Sequence, residues 1–259
     1  MSLSQLYLYA IVVLLVYATL WYILALLLKR NDIADVAWGL GFIVMVIVGL
    51  VFCGLNPTAL ALSALVIIWG VRLSTHIALR MQETQEDFRY AQWRKEWGKS
   101  FYWRTYVQVF LLQGIILLIV AAPVFIAFAN GKELHSEVSI IGIVIWLIGF
   151  VVQTIADAQL AKFKKQKRPG EIMDKGLWKY SRHPNYFGEL VMWWGLFLVV
   201  LPLQYGWVGV ISPLTITYLL NYVSGVPMLE KRFDKNENYQ RYKAQTSRLI
   251  PLMKKKVHE

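Results

Sequence analysis

The sequence predicts an all-α, polytopic membrane protein of seven transmembrane helices, with its N-terminus outside and its C-terminus cytoplasmic. Three observations predict it. Apolar types make up 57 % of the 259 residues and charged types only 17 %, against roughly 45–50 % and about 25 % in a soluble domain. Seven apolar runs come near the ~20 residues that a helix needs to cross a bilayer core. The lysines and arginines fall almost wholly in alternate loops, as they do where those loops are cytoplasmic. The runs must be helical, because an unsatisfied backbone group is costly in hydrocarbon.

The first run, 6–28, has no basic segment before it and no small-residue cleavage site after it, so it reads as a retained helix. Lys29 and Arg30 follow. The second run, 36–55, begins behind Asp32 and Asp35, whose spacing of three puts them near one helical face. A carboxylate suits a helix N-terminus, so Asp32 reads as an N-cap. Asp35 lies deeper, against Val36, Ala37 and Trp38. It is a candidate catalytic or substrate-facing group, with a second cap or a salt bridge as the plain alternative. The third run, 58–79, carries Trp69 and the one basic residue inside a span, Arg72. Arg72 needs an anion there, either Asp35 or Asp157 as a structural pair or a phosphate or substrate group.

The fourth run spans 106–129. The fifth, 138–160, holds Gln153 and Asp157 four apart on one face. Such a pair can read the amide or ribose edges of a nucleotide, or glue two helices together. The sixth and seventh, 187–203 and 207–223, are separated by a tight turn. Beyond them, 227–242 with Glu230, Lys231, Arg232, Tyr239 and Tyr242 reads as one amphipathic cytoplasmic helix, a lid or a membrane-surface segment. No polar linker divides the chain, so a single domain over 1–259 is expected.

The net charge of +11 raises nucleic-acid binding, but the basic residues lie between apolar runs and no recognition motif accompanies them. Such a balance fits loop orientation, anionic lipids or phosphorylated ligands. The single cysteine, Cys53, excludes an intramolecular disulfide and a Cys-based metal site. His76, His135, His183 and His258 are scattered, so no metal is expected.

The strongest constellation is Lys167-Arg168-Pro169-Gly170-Glu171 followed by Gly176-Leu177-Trp178-Lys179-Tyr180-Ser181-Arg182-His183-Pro184-Asn185-Tyr186-Phe187-Gly188-Glu189. Pro169-Gly170 marks a turn. Pro184 favours a helix start just after His183, and a helix N-terminus attracts anions. Lys167, Arg168, Lys179 and Arg182 add positive charge, and arginine suits phosphate. Asn185 and Glu189, four apart on the next helix, can hold a donor-rich polar ligand. A basic juxtamembrane loop on anionic lipid explains the lysines but not Asn185 or Glu189. No P-loop or Rossmann glycine pattern is present, so a nucleotide would bind in another way.

At these residues the chain resembles the steroid 5-alpha-reductase family of membrane reductases, whose superfamily also holds sterol reductases and isoprenylcysteine carboxyl methyltransferases. The likeness runs from about Asp32 to Pro251 and is densest over Arg168 to Glu189. It implies a seven-helix fold with NADPH in a cytoplasm-facing cavity, residues 1–104 on the substrate side and 105–259 on the cofactor side. It implies cofactor-binding roles for Asp157, Arg168, Tyr180, Arg182, His183, Asn185 and Glu189, and for Gln153 where eukaryotic members place an asparagine. Arg72, Lys167, Arg232, Tyr239 and Tyr242 are expected to join them. The family's acid for the substrate carbonyl falls on Asp35, and Trp69 stands where a tyrosine helps hold the ketone, so these two are the expected catalytic residues. Arg182-His183-Pro184 is closer to the sterol reductases and methyltransferases than to the steroid enzymes.

The expected activity is NADPH-dependent reduction of a carbon–carbon double bond conjugated to a ketone, in an apolar steroid-like 3-oxo-4-ene loaded from the bilayer. NADPH enters from the cytoplasm, membrane lipids surround the spans, nucleic acid is not a partner, and a bacterial inner membrane is the expected location. The alternative is an S-adenosylmethionine-dependent methyltransferase acting on isoprenylcysteine or a phospholipid. Those enzymes usually have fewer spans and a paired Glu-Glu where this chain has Leu229-Glu230-Lys231. A non-enzymatic lipid-binding protein would leave Asn185 and Glu189 unexplained.

Overall fold

The computed structural model describes residues 2–130, 137–231 and 233–254, apart from the side chain of Phe88. Helices are the only regular elements among them, accompanied by one isolated bridge between Ser181 and Ser247. Five helices are long and apolar enough to cross a membrane: Leu3–Leu28, Ile33–Cys53, Pro57–Gln82, Arg89–Val120 and Glu137–Gln166. The first three are α1, α2 and α3. Many of their aliphatic side chains face outward, Leu27 at 74 % exposure and Val51 at 69 % among them. A bilayer makes such a surface favourable, and water does not. The chain divides into two compact units, Met1–Ser136 with Val200–Ser212, and Glu137–Val199 with Pro213–Glu259.

In the first unit, Ser2 and Gln5 close a capping box on α1, satisfying donors the first helical turn leaves orphaned. Asn56 caps α3 by accepting the Ala59 N–H at 2.8 Å, and Pro57 takes the first helical position, where its missing N–H costs nothing. Helices α2 and α3 touch backbone to backbone. A Cβ on Gly70 would stand 2.7 Å from the Gly39 carbonyl, and the Ser74 hydroxyl donates to the Val36 carbonyl at 2.9 Å. Small residues permit this approach in membrane helices.

The fourth run differs from its expected limits at both ends. Helix begins well before residue 106, as α4 (Phe88–Trp97), a 3-10 turn Gly98–Ser100, α5 (Phe101–Thr105), a π-helical stretch Tyr106–Leu111 and α6 (Leu112–Val120). The charged stretch before 106 is helical because Tyr90, Trp93, Trp97 and Phe101, three or four apart, form a continuous ring stack. Arg94 lies over Phe101 at 4.3 Å. The helix then breaks at Ala121 and restarts as α7 (Ala122–Asn130). Pro123 is the cause, since it has no N–H for the preceding turn and its ring would clash with that turn's carbonyl. Residues 122–128 are all buried.

In the second unit, α8 (Glu137–Gln166) and α9 (Pro184–Val200) run antiparallel along a glycine seam. A Cβ on Gly142 would meet the Gly195 carbonyl at 2.7 Å, and one on Gly149 the Gly188 carbonyl at 2.6 Å. The Ser139 hydroxyl donates to the Val199 carbonyl at 2.8 Å, in the same register. Helix α9 starts on Pro184, where the sequence places it, and Gly170 takes the turn with φ +82°. The sixth run is thus a 17-residue helix. The seventh is a series of shorter pieces, a 3-10 turn Gly206–Val210, α10 (Ile211–Tyr218) and a π-helical turn Leu219–Val223.

The segment 227–242, expected as one helix, is two: α11 (Val226–Lys231) and α12 (Glu237–Gln245). Asn236 starts the second by accepting the Tyr239 N–H at 3.1 Å, a capping role that favours a fresh helix over a continued one. The chain then returns along residues 180–182. Arg182 N–H donates to the Ser247 carbonyl at 2.8 Å, Leu252 N–H to the Tyr180 carbonyl at 3.0 Å, and the Ser181 hydroxyl to the Leu249 carbonyl at 2.7 Å.

Candidate functional site

The close approach of α8 and α9 brings two polar pairs together. Gln153 and Asp157 lie four apart on α8, and Glu189 and Asn185 four apart on α9, so an antiparallel crossing sets each opposite its partner. The Gln153 amide donates to Glu189 Oε2 at 3.2 Å, and the Asn185 amide donates to Asp157 Oδ1 at 3.1 Å. Gln153, Asp157 and Glu189 are buried. Asn185 Oδ1 is also buried and accepts no hydrogen bond. A buried acceptor left empty costs about 1–3 kcal/mol, so this amide is positioned to accept from a donor-bearing ligand.

Around the start of α9 lies a charged cluster with Glu230 at its centre. Glu230 Oε1 is 3.1 Å from Arg182 Nε and 3.2 Å from His183 Nε2, and Oε2 is 3.4 Å from Lys243 Nζ. Arg182, His183 and Glu230 are each less than a tenth exposed. Burial works to raise the Glu230 carboxyl. The His183 hydrogen bond and the charges of Arg182 and Lys243 outweigh it and bring the carboxyl from 4.5 to about 2. Burial holds the His183 imidazole below its ordinary 6.5, against the pull of Glu230. An ionised carboxylate only accepts, so the neutral imidazole carries its proton on Nε2.

Tyr239 and Tyr242 stand beside this cluster, their rings 6.1 Å apart. Burial raises both phenols. The Tyr242 hydroxyl donates to the Trp178 carbonyl at 2.5 Å, and the Trp178 indole N–H donates to the Ala156 carbonyl at 3.1 Å. These bonds fasten the loop that carries Arg182 to α8 and α12. Lys167, Arg168, Lys179 and Tyr180 are exposed along that loop. Arg168 touches Glu171 only through its backbone N–H, at 2.9 Å. Arg232 lies outside the described residues.

The remaining expected residues belong to the first unit. Asp35 pairs with Arg89 Nη2 at 3.1 Å, and Arg89 Nε reaches Asp87 at 2.8 Å. The Asp87 N–H donates to Asp32 at 3.1 Å, and Arg30 grips Asp32 with two nitrogens at 3.1 and 2.8 Å. Asp32 stands at the N-cap position of α2 but makes no capping bond with its side chain, because Arg30 and Asp87 take both oxygens. Burial tends to raise the Asp87 carboxyl, yet its contacts with Arg89 hold it below the usual range. Trp69 is buried edge-on to Phe42 at 5.5 Å, and Arg72 is half-buried on α3.

The structure therefore joins Gln153 to Glu189, Asp157 to Asn185, and Arg182 to His183. The centre that joins the last two, Glu230, was not among the expected site residues. Its signal in the sequence is a carboxylate directly before Lys231 and Arg232. Arg89, the partner of Asp35, carries no local signal at all. No group of three or more His, Cys, Asp or Glu placed to hold a metal ion occurs among the described residues.

Over 72 residues the chain is 31 % identical to steroid 5-alpha-reductase DET2 of Arabidopsis thaliana, a match covering 27 % of this chain and 26 % of that protein. Over 64 residues it is 39 % identical to 3-oxo-5-alpha-steroid 4-dehydrogenase 1 of Mus musculus, covering 24 % and 25 %. The protein of that name from Rattus norvegicus matches to the same extent. The chain thus spans about a quarter of the length of these relatives. Among solved structures there is no significant match. The family described as "Protein of unknown function (DUF1295)" matches residues 21–246. With most of its length covered, and with its likeness to steroid 5-alpha-reductases carried by a quarter of it, the chain belongs to the DUF1295 family.

Proposed function

We propose that this protein is a membrane reductase that uses NADPH to reduce a carbon–carbon double bond conjugated to a ketone in an apolar, steroid-like substrate. The observation that carries the reading is the buried polar cluster of the second unit. A lipid-anchoring bundle has no need of a buried Asn185 carbonyl with no hydrogen bond beside two carboxylates and a buried arginine. The named activities of the relatives point to the same reaction class.

The residues fit a dinucleotide. Asn185 Oδ1 can accept from a carboxamide or a ribose hydroxyl, and Asp157 and Glu189 can accept further donors. Lys167, Arg168 and Lys179, exposed on one loop, can meet phosphates, and the 2′-phosphate of NADPH makes such cations more favourable. Glu230 keeps Arg182 and His183 in place and neutralises the charge of Arg182. Tyr239 and Tyr242 wall the cluster. Bound there, NADPH supplies the hydride. Asp35 is the proposed hydrogen-bond donor to the substrate carbonyl, with Arg89 fixing its carboxyl and Trp69 shaping the apolar surroundings. A neutral carboxyl is needed for that donation, so Asp35 must hold a proton when substrate displaces water around it.

We read all seven apolar runs as spanning, with the basic loops cytoplasmic and the N-terminus outside. Leu3–Leu28 through Glu137–Gln166 are long enough without help. The shorter sixth and seventh cross as a pair.

The test is ligand-dependent melting of the detergent-purified protein. NADPH at a hundredfold excess over its Kd is expected to stabilise the fold by about 2.7 kcal/mol, and an enone is then expected to drive NADPH oxidation. Stabilisation by S-adenosylmethionine in its place would make the protein a methyltransferase. Indifference to both nucleotides would remove the enzymatic reading.

A further inference from the structure

At the end of α1 the first unit contains a cavity of about 420 Å³ that the reductase reading does not use. Leu26 and Tyr102, both exposed, line it together with Lys29, Glu86 and Arg94. Leu26 belongs to a helix long and apolar enough to cross a membrane, which ends at Leu28, and Lys29 follows it directly. The cavity therefore combines exposed apolar and ionic groups, at the end of a helix long and apolar enough to cross a membrane.

Its charges do not cancel. Glu86 is already engaged, because it accepts from the Asn31 N–H at 2.8 Å, from the Asn31 amide at 3.3 Å and from Arg94 on both oxygens at 3.2 Å. No ion pair holds Lys29 among the described residues. One positive charge is left over. The backbone of Lys29 makes the same point independently. Lys29 closes α1 with φ +54°, a left-handed conformation that glycine adopts freely and a Cβ-bearing residue adopts at a cost. The turn itself favours glycine, and the lysine adds only its cation.

We propose that this cavity is a binding site for an anionic phospholipid, whose phosphate diester meets Lys29 and Arg94 while its glycerol and upper acyl chains lie along Leu26 and Tyr102. Tyr102 and its chain neighbour Trp103 are both more than half exposed, with the amphipathic rings that settle at a bilayer interface. A free anion would satisfy the cations but would leave the exposed Leu26 and Tyr102 against water.

The test compares full-length protein in nanodiscs and mixed micelles containing dioleoylphosphatidylglycerol or dioleoylphosphatidylcholine, read by native mass spectrometry and melting temperature. The wild type is expected to retain phosphatidylglycerol about fivefold more tightly than Lys29→Gly does, the effect of one cation on an anionic headgroup. Glycine suits the backbone at this position, so the variant keeps its fold and its melting temperature without lipid is not lowered. Arg94→Gln is expected to weaken retention independently. Equal retention by wild type and Lys29→Gly would overturn the proposal. So would equal affinity for the two lipids, or stabilisation by inorganic phosphate alone as strong as that by phosphatidylglycerol.

Discussion

Replacing Glu230 by glutamine keeps the shape of the side chain and removes the buried negative charge that Arg182, His183 and Lys243 share. A carboxyl brought from 4.5 to about 2 corresponds to about 3 kcal/mol of folded-state stabilisation. The Lys243 side of the cluster is open to solvent, and screening there reduces the figure to about 2 kcal/mol. The folded value lies below the unfolded one. The contribution is therefore complete above pH 4.5 and fades as the pH falls from 4.5 toward 2. Glu230→Gln is expected to lower the melting temperature at pH 7 by about 4–8 °C for a chain of this size. The loss of charge balance around a buried arginine acts in the same direction. Tryptophan fluorescence during heating of the detergent-purified proteins gives the comparison. A difference below about 1 °C at pH 7 would refute the assigned role of Glu230, and so would a gap that closes between pH 7 and pH 5, where neither value titrates.

Two further substitutions probe each unit separately. A Cβ on Gly188 would stand 2.6 Å from both the Gln153 nitrogen and the Gly149 carbonyl. Gly188→Ala is expected to cost about 1–3 kcal/mol and to weaken NADPH binding by parting Gln153 from Glu189, read by melting and by nucleotide titration. In the first unit, Asp35→Asn is expected to abolish turnover and Arg89→Gln to lower it at least about tenfold, the scale of one acid–base contribution or less. Both variants should bind NADPH as the wild type does, and turnover kinetics beside titration would expose the error if either variant stayed fully active.

Much of the helical plan is legible in hydropathy, because hydrocarbon leaves the backbone almost no alternative to helix. The start of α9 at Pro184, the turn at Pro169-Gly170 and the shared face of Asn185 and Glu189 follow from local chemistry and appear where the residues place them. The break at Ala121 does not show in hydropathy, since both flanks are equally apolar, and Pro123 is its only mark. The helix from Phe88 is hidden for the opposite reason. Its arginines and lysines read as loop, while the ring stack that makes it helical shows only when three- and four-residue spacings are followed. The pairing of Asp35 with Arg89 lies beyond local inspection, because 54 residues separate the partners. The α8–α9 seam has a mark in the sequence, since Gly142 and Gly149, and Gly188 and Gly195, each lie seven apart.

That seam has a mechanical meaning. Helices that meet through large side chains can adjust by changing rotamers, but here main chain rests on main chain at both glycine crossings, and nothing soft lies between. A thicker or thinner bilayer tilts and bends the helices it surrounds. If α8 and α9 both cross the bilayer, as proposed, such a load is expected to move the pair as one rail and to leave the spacing between Gln153 and Glu189 unchanged.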